Sequence, residues 1–137
     1  MQNFKYNYHL SEIRVIAERL IKFNKKVILF YGDIGAGKTT LIKEICKQLN
    51  SKSNFSSPTY QIVNEYSCPN ALIYHFDLYR IKSKMELIDL GFDDYLFSDN
   101  YCLIEWPELA EEFVTEDYIK IKIITKNNGR EAELEVY

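Results

Sequence analysis

The chain has 137 residues, of which 47% are hydrophobic and 27% charged, a balance that predicts one globular domain over residues 1–137 with no room for a separate lid domain. The formal net charge of -3 argues against a protein that holds nucleic acid by itself, because neutralising phosphates requires a basic face. No apolar run approaches the roughly 20 residues of a membrane span, and the first ten residues contain no signal-peptide core, so we expect a cytoplasmic protein without membrane contact.

The first predicted element is an amphipathic helix from Ser11 to Phe23, with Ser11 as its N-cap. The apolar run from Val27 to Tyr31 follows and is typical of a short strand buried on both faces. A second helix is predicted from Lys38 to Leu49, because apolar side chains again recur at helical spacing. A strand and a helix therefore enclose the intervening residues.

Those residues belong to the stretch GDIGAGKTT, which fits the pattern G-x-x-x-x-G-K-[ST]. Glycines let backbone N–H groups converge on a phosphate, and the helix N-terminus adds its positive dipole end. Lys38 is predicted to reach the β and γ phosphates of a nucleotide, and Thr39 to ligate Mg²⁺. The predicted nucleotide-binding residues are Gly32, Asp33, Ile34, Gly35, Ala36, Gly37, Lys38, Thr39 and Thr40.

The middle of the chain alternates strand and helix signals. Strands are predicted from Tyr60 to Tyr66 and from Ala71 to Phe76, separated by the turn-forming pair Pro69-Asn70. Lys84 to Leu90 predicts a short helix that ends at Gly91.

The last third predicts three further strands. Tyr101 to Trp106 reads as a buried strand stopped by Pro107. Isoleucine and lysine alternate from Ile119 to Ile123, and Asn128-Gly129 predicts a two-residue hairpin turn before a strand from Ala132 to Val136. Helices interleaved with strands indicate an α/β fold, a central sheet flanked by helices, with an antiparallel C-terminal hairpin at its edge.

Two carboxylates close predicted strands, Asp77 at the end of ALIYHFD and Glu105 at the end of YCLIE. A phosphate-loop enzyme needs an acid near Mg²⁺ at such a position, so one of the two is expected to hold the metal, directly or through water, and the other to orient the attacking water. Thr59, behind a proline, offers a second hydroxyl to Mg²⁺ or to the γ phosphate, although Ser-Pro also commonly initiates a turn. His75 is a candidate base, but a histidine among apolar neighbours is more often packed or hydrogen-bonded.

These motifs together resemble those of the TsaE family, also called YjeE. The resemblance rests on GDIGAGKTT, SPTYQIVNEY, HFDLYRI, ELIDLGFDDYL and IEWPE, which occur in this order and at these spacings over roughly residues 10–137. The phosphate loop is common to many proteins, whereas the combination of SPT, H-x-D-x-Y-R and E-W-P-E is specific.

The resemblance implies a compact P-loop NTPase domain that binds ATP or ADP with Mg²⁺ and hydrolyses ATP slowly. It implies that the chain acts with the proteins TsaD and TsaB, which transfer a threonylcarbamoyl group onto an adenosine of tRNA, so that tRNA is contacted only through the complex. Matching positions imply that Lys38 and Thr39 bind phosphate and Mg²⁺. They also imply that Asp77 is the metal-site acid, Glu105 a catalytic residue and Trp106 a neighbour of the nucleotide.

Two other functions compete with this one. A small-molecule P-loop kinase would close an arginine-bearing lid over the transferred phosphate, yet the four arginines here are well separated in sequence. A nucleotide-gated binding module, in which hydrolysis is incidental, is compatible with every motif above. Dependence of turnover on the partner proteins would separate these functions.

Overall fold

The computed structural model describes residues 1–52 and 61–137. Within these ranges, seven strands form one mixed sheet in the order β1-β7-β6-β2-β5-β4-β3. In chain order the strands are β1 (Gln2–Tyr8), β2 (Val27–Tyr31), β3 (Val63–Cys68), β4 (Ala71–Asp77), β5 (Tyr101–Glu105), β6 (Tyr118–Lys126) and β7 (Gly129–Val136). The α-helices are α1 (Ile13–Lys22), α2 (Lys38–Gln48), α3 (Lys84–Leu90) and α4 (Phe92–Leu96). Two 3-10 segments, Leu10–Glu12 and Glu108–Phe113, complete the described elements.

Strand β2 lies at the centre of the sheet and is parallel to both of its neighbours, β5 and β6. Its three middle residues, Ile28, Leu29 and Phe30, are almost fully buried, and alternate residues belong to the two cores on opposite faces. The prediction of a strand buried on both faces is confirmed. Because β4 is parallel to β5 as well, the carboxyl ends of β2, β4 and β5 meet at one edge of the sheet.

Helices cover the two faces unequally. The first core packs α1 and α2 against one face across the whole sheet, from β1 and β7 to β3. The second core packs α3, α4 and the 3-10 segment Glu108–Phe113 against β2, β4 and β5. On this second face the strands β6, β7 and β1 present charged side chains such as Lys5, Lys122 and Glu133 in place of an apolar layer.

The predicted N-cap of the first helix is wrong. Ser11 lies inside the 3-10 turn Leu10–Glu12, and α1 begins at Ile13 and ends at Lys22. The start of this segment is held instead by Glu12, whose Oε1 accepts a hydrogen bond from the backbone N–H of His9 at 2.9 Å. A reciprocal cap between residues three apart thus replaces the predicted serine cap.

The C-terminal hairpin forms, but its turn and its place in the sheet differ from the prediction. Lys126 pairs with Gly129, so the two turn residues are Asn127 and Asn128, one position earlier than predicted. The hairpin is not the edge of the sheet, because β1 pairs with β7 along its whole length. The sequence analysis missed β1, although the alternating aromatic side chains of QNFKYNY carry a strand signal.

Other predictions in the middle of the chain hold. Helix α3 spans Lys84–Leu90 and ends at Gly91, which adopts a left-handed φ of 77°. Pro69 and Asn70 form the turn between β3 and β4, and β5 ends just before Trp106. The predicted strand start at Tyr60 lies outside the described residues, and β3 begins at Val63. Among the described residues, each helix is too short or too polar to cross a membrane.

Candidate nucleotide site

The stretch GDIGAGKTT forms the connection between β2 and α2, as predicted, and its glycines meet specific backbone demands. At Gly32 a Cβ atom would lie 2.9 Å from the carbonyl oxygen of Ile123, so only glycine lets the loop rest this closely on β6. Gly35 and Gly37 have φ values of 83° and 105°, in the region that other residues avoid. The loop therefore has the shape that its sequence pattern predicts.

The backbone of this loop is ordered by its own hydrogen bonds. The N–H of Ala36 donates to the carbonyl of Asp33 at 3.0 Å, and the N–H of Leu41 donates to that of Gly37 at 3.0 Å. Helix α2 begins at Lys38, and the first N–H groups of a helix have no partner within it. Such groups, together with the helix dipole, attract an anion to this end of α2.

Lys38 is 5% exposed and lies at the start of α2. Its Nζ sits 3.4 Å from the centre of the Trp106 ring and donates a hydrogen bond to the carbonyl of Gly32. Burial lowers the pKa of Lys38, while the negative charges of Glu105 and other nearby carboxylates partly oppose that shift. The ammonium group is therefore held at the loop by an aromatic face and a backbone oxygen.

Trp106 is half-buried and follows directly after β5. Its φ of 55° is left-handed, a conformation that costs free energy for a bulky residue and that often marks functional positions. The indole also packs on Tyr79, with ring centres 4.9 Å apart. Trp106 thus forms a wall between Lys38 and the exposed ring of Tyr79.

Glu105, at the end of β5, connects the loop to the interior of the sheet. Its Oε1 accepts a hydrogen bond from the Thr39 hydroxyl at 2.8 Å, and its Oε2 lies 2.6 Å from Nε2 of His75. Glu105 is 3% exposed and His75 is fully buried. A carboxylate so deeply buried requires partners of this kind, because an unpaired charge there would cost several kcal/mol.

Asp77 ends β4 and pairs in register with Glu105 on the neighbouring strand. Its Oδ1 accepts a hydrogen bond from the backbone N–H of Tyr79 at 3.1 Å, and its charge acts on Lys38. The structure thus brings Asp77, Glu105, Lys38 and Thr39 together at one edge of the sheet, and it is Glu105 that contacts Thr39.

Thr59 and His75 were predicted to contribute to the site. Thr59, predicted as a second hydroxyl near Mg²⁺, lies outside the described residues. His75, considered as a base, contacts Glu105 from the interior of the sheet and so is hydrogen-bonded, the more common role of such a histidine.

Among residues 1–52 and 61–137, His, Cys, Asp and Glu do not form a cluster of three that could enclose a metal ion. Mg²⁺ in nucleotide enzymes commonly takes one or two protein oxygens and completes its shell with water and phosphate, so the Thr39 hydroxyl and one carboxylate fit its chemistry.

Sequence reasoning missed Arg130, whose side chain contacts the loop from β7. No motif signalled this residue, since 94 positions separate it from its partner Ala36. A pairing over such a distance is established only by the fold.

A family model described as "TsaE: Threonylcarbamoyl adenosine biosynthesis protein TsaE" matches residues 8–132. The chain belongs to the TsaE family. This membership confirms the resemblance that the motifs indicated.

Named relatives support the assignment. The tRNA threonylcarbamoyladenosine biosynthesis protein TsaE of Haemophilus influenzae is 41% identical over 121 residues, which cover 86% of this chain and 77% of that protein. The TsaE protein of Bacillus subtilis is 37% identical over 121 residues, covering 87% of this chain and 74% of that protein. The crystal structure of YdiB from Bacillus subtilis matches with a TM-score of 0.77 and 28% identity, covering 98% of this chain and 86% of that one. The predicted P-loop α/β fold is confirmed by this structural match and by the sheet described above.

Proposed function

We propose that the chain is a Mg²⁺-dependent ATPase of tRNA threonylcarbamoyladenosine biosynthesis, which acts in the cytoplasm together with TsaB and TsaD. The observation that carries the proposal is the row of contacts from the Thr39 hydroxyl through Glu105 to His75, beside the buried ammonium of Lys38. A buried acid that contacts the threonine of a phosphate loop serves little purpose in a purely structural turn. It suits a loop that binds a nucleotide and its metal.

The loop and the start of α2 hold the phosphates in this proposal. Backbone N–H groups of the loop and of the first turn of α2 donate to phosphate oxygens, except that of Ala36, which already donates to Asp33, and the helix dipole adds to the attraction. Lys38 leaves the face of Trp106 and contacts the β and γ phosphates, where it neutralises the charge that develops during transfer.

Thr39 and Glu105 are the residues that would hold Mg²⁺, since both offer hard oxygen atoms beside the loop. When bound, Mg²⁺ neutralises phosphate charge and favours departure of ADP. Asp77, next to Glu105 in register, would accept a hydrogen bond from the attacking water. The oxygen of this water then bonds to the γ phosphorus. The bond between that phosphorus and the bridging oxygen of the β phosphate breaks, and the products are ADP and inorganic phosphate.

The packing of Lys38 supports slow turnover by the chain alone. In the described conformation the ammonium group is held by the Trp106 ring and by the carbonyl of Gly32, so phosphate must compete for it. A partner that moves Trp106 or Tyr79 would release that competition. We therefore expect TsaB and TsaD to change the rate, and tRNA to act only through that complex because the chain itself is acidic.

The testing experiment measures ATP turnover by the purified chain, with and without TsaB and TsaD. The variant Glu105→Gln tests the site, and Glu116→Gln, an exposed acid outside it, is the matched control. We expect turnover to rise with the partners, to fall about 100-fold in Glu105→Gln, and to stay unchanged in Glu116→Gln. Equal turnover by wild type and Glu105→Gln would contradict the proposed site.

A second measurement separates an ATPase coupled to its partners from a nucleotide-gated binding module. The gated module would be favoured if ATP turnover did not change on adding TsaB and TsaD while the affinity of the chain for these proteins depended on the bound nucleotide. Affinity that is equal with an ATP analogue, with ADP and without nucleotide would exclude both forms of coupling, because a ligand with no differential affinity shifts no equilibrium.

A further inference from the structure

Arg130 lies at the second position of β7, far in sequence from the nucleotide loop, yet its side chain touches that loop. Its Nε donates a hydrogen bond to the carbonyl oxygen of Ala36 at 2.9 Å, and its Nη1 donates to the carbonyl of Gly129 at 3.1 Å. The side chain is half-buried. One guanidinium thus connects the start of β7 to the middle of GDIGAGKTT.

The fold brings Arg130 to this place through a close approach of strands. Arg130 pairs with Tyr8 of β1 on one side and with Thr125 of β6 on the other. At the preceding residue, Gly129, a Cβ atom would lie 2.5 Å from the carbonyl oxygen of Tyr8, so another residue there would force β1 and β7 apart. Gly129 and the three-strand pairing therefore fix the start of β7 beside the loop.

The hydrogen bond from Arg130 to the Ala36 carbonyl also determines where the next backbone N–H points. The chain has no cis peptide bond among the described residues, and in a trans peptide the C=O and the following N–H point in opposite directions. When the carbonyl of Ala36 points at Arg130, the N–H of Gly37 points away from it. Gly37 bounds this peptide unit on its C-terminal side with a left-handed φ of 105°, and glycine is the residue at which a peptide plane reorients at least cost.

We propose that Arg130 is a positioning residue for the nucleotide loop: it fixes the Ala36 carbonyl outward and thereby holds the Gly37 N–H ready to donate to a phosphate of the bound nucleotide. If the Ala36 carbonyl pointed toward the phosphate site, its oxygen would repel the phosphate and the Gly37 N–H would no longer donate to it. Holding this carbonyl away from the site therefore raises the affinity for any nucleotide that carries a β phosphate. The inference rests on the proposed function, since it presupposes nucleotide binding at this loop. It adds a residue from outside every motif that indicated that function.

The test measures the dissociation constants of ADP and ATP with the full chain. The variant Arg130→Met keeps the length of the side chain without its donors, whereas Arg130→Lys keeps a charge and a donor. The control is Arg14→Met, an exposed arginine on α1. We expect Arg130→Met to weaken ADP and ATP by the same factor, about tenfold, with kcat at saturation within twofold of wild type. Arg130→Lys should restore part of the affinity, and Arg14→Met should bind as wild type does.

A second readout separates positioning from mere stability or charge. The Gly37 amide resonance in the nucleotide-free chain should shift or broaden in Arg130→Met, return toward its wild-type position in Arg130→Lys, and stay unchanged in Arg14→Met. Wild-type affinity in Arg130→Met, or an unaltered Gly37 resonance in that variant, would overturn the inference. If Arg130→Met does not fold, Arg130→Lys decides the question: a displaced Gly37 resonance together with a partial and equal loss of ADP and ATP affinity supports the inference, and wild-type affinity overturns it. Failure of the wild-type chain to bind ADP would instead overturn the proposed function.

Discussion

The central strands and the outer strands of the sheet place charged side chains in opposite ways. At the carboxyl ends of β4 and β5, the acid Glu105 is 3% exposed and its partner His75 is fully buried. On the uncovered face of β1, β6 and β7, Lys5 approaches Glu133 at 3.7 Å, but their side chains are 61% and 41% exposed. Glutamate carboxylates thus lie in a buried, hydrogen-bonded site in one region and on a solvated surface in the other.

This difference indicates where charge carries a function. Holding a carboxylate inside the sheet costs desolvation free energy, which the contacts with Thr39 and His75 offset. Surface pairs cost little and contribute little, because water and salt screen them. Variants in the two regions should therefore differ strongly in effect.

The largest expected effect comes from Lys38→Ala. In the proposed function the ammonium group of Lys38 stabilises the transferring phosphate, so we expect its removal to lower ATP turnover about 100- to 1000-fold. The matched control is Lys47→Ala, an exposed lysine at the end of the same helix, which should retain wild-type turnover. The measurement is phosphate release by chains whose circular dichroism is unchanged. Near-normal release by Lys38→Ala would remove the distinction between the two regions.

A smaller effect is expected for His75→Leu, which keeps the volume of the side chain roughly but removes the contact with Glu105. The carboxylate then stays buried with one partner fewer, so the free energy of unfolding should drop by about 2 kcal/mol. Urea denaturation measures this change. If instead the loss is below a few tenths of a kcal/mol, the buried pair is no more important for stability than a surface pair.

The smallest effect is expected on the outer strands, for Lys5→Ala. The Lys5 side chain is 61% exposed, and its Nζ lies 3.8 Å from the largely buried Glu131 and 3.7 Å from Glu133, distances at which a pair with a solvated lysine is weak. We expect the free energy of unfolding to change by less than about 0.5 kcal/mol, with a smaller change at high salt. A loss comparable to that of His75→Leu would show that the charged face is structural.

The same contrast explains how far sequence reasoning reached. The strand before the loop, the loop itself and the two carboxylates are local sequence patterns. Asp77 and Glu105 end their strands, β4 and β5, as predicted. Spacing alone could not decide which acid contacts Thr39, because that depends on the order of β2, β5 and β4 in the sheet.

Features that depend on pairing between distant segments were harder to predict. Strand β1 carries a recognisable alternation, yet only its pairing with β7 makes it the edge of the sheet and moves the hairpin inward. The contact of Arg130 with Ala36 follows from the same pairing and has no local signal. Long-range register is the information that one sequence read locally does not contain.

Direct titration of the chain with Mg-ATP and with ADP tests the central claim, that GDIGAGKTT binds the phosphates of a nucleotide through Lys38. Calorimetry gives the affinity, and the emission of Trp106, the single tryptophan, reports whether Lys38 leaves its ring. We predict saturable binding at one site together with a change in emission, and loss of both in Lys38→Ala. Absence of binding at millimolar nucleotide, or binding of equal strength in Lys38→Ala, would contradict the claim.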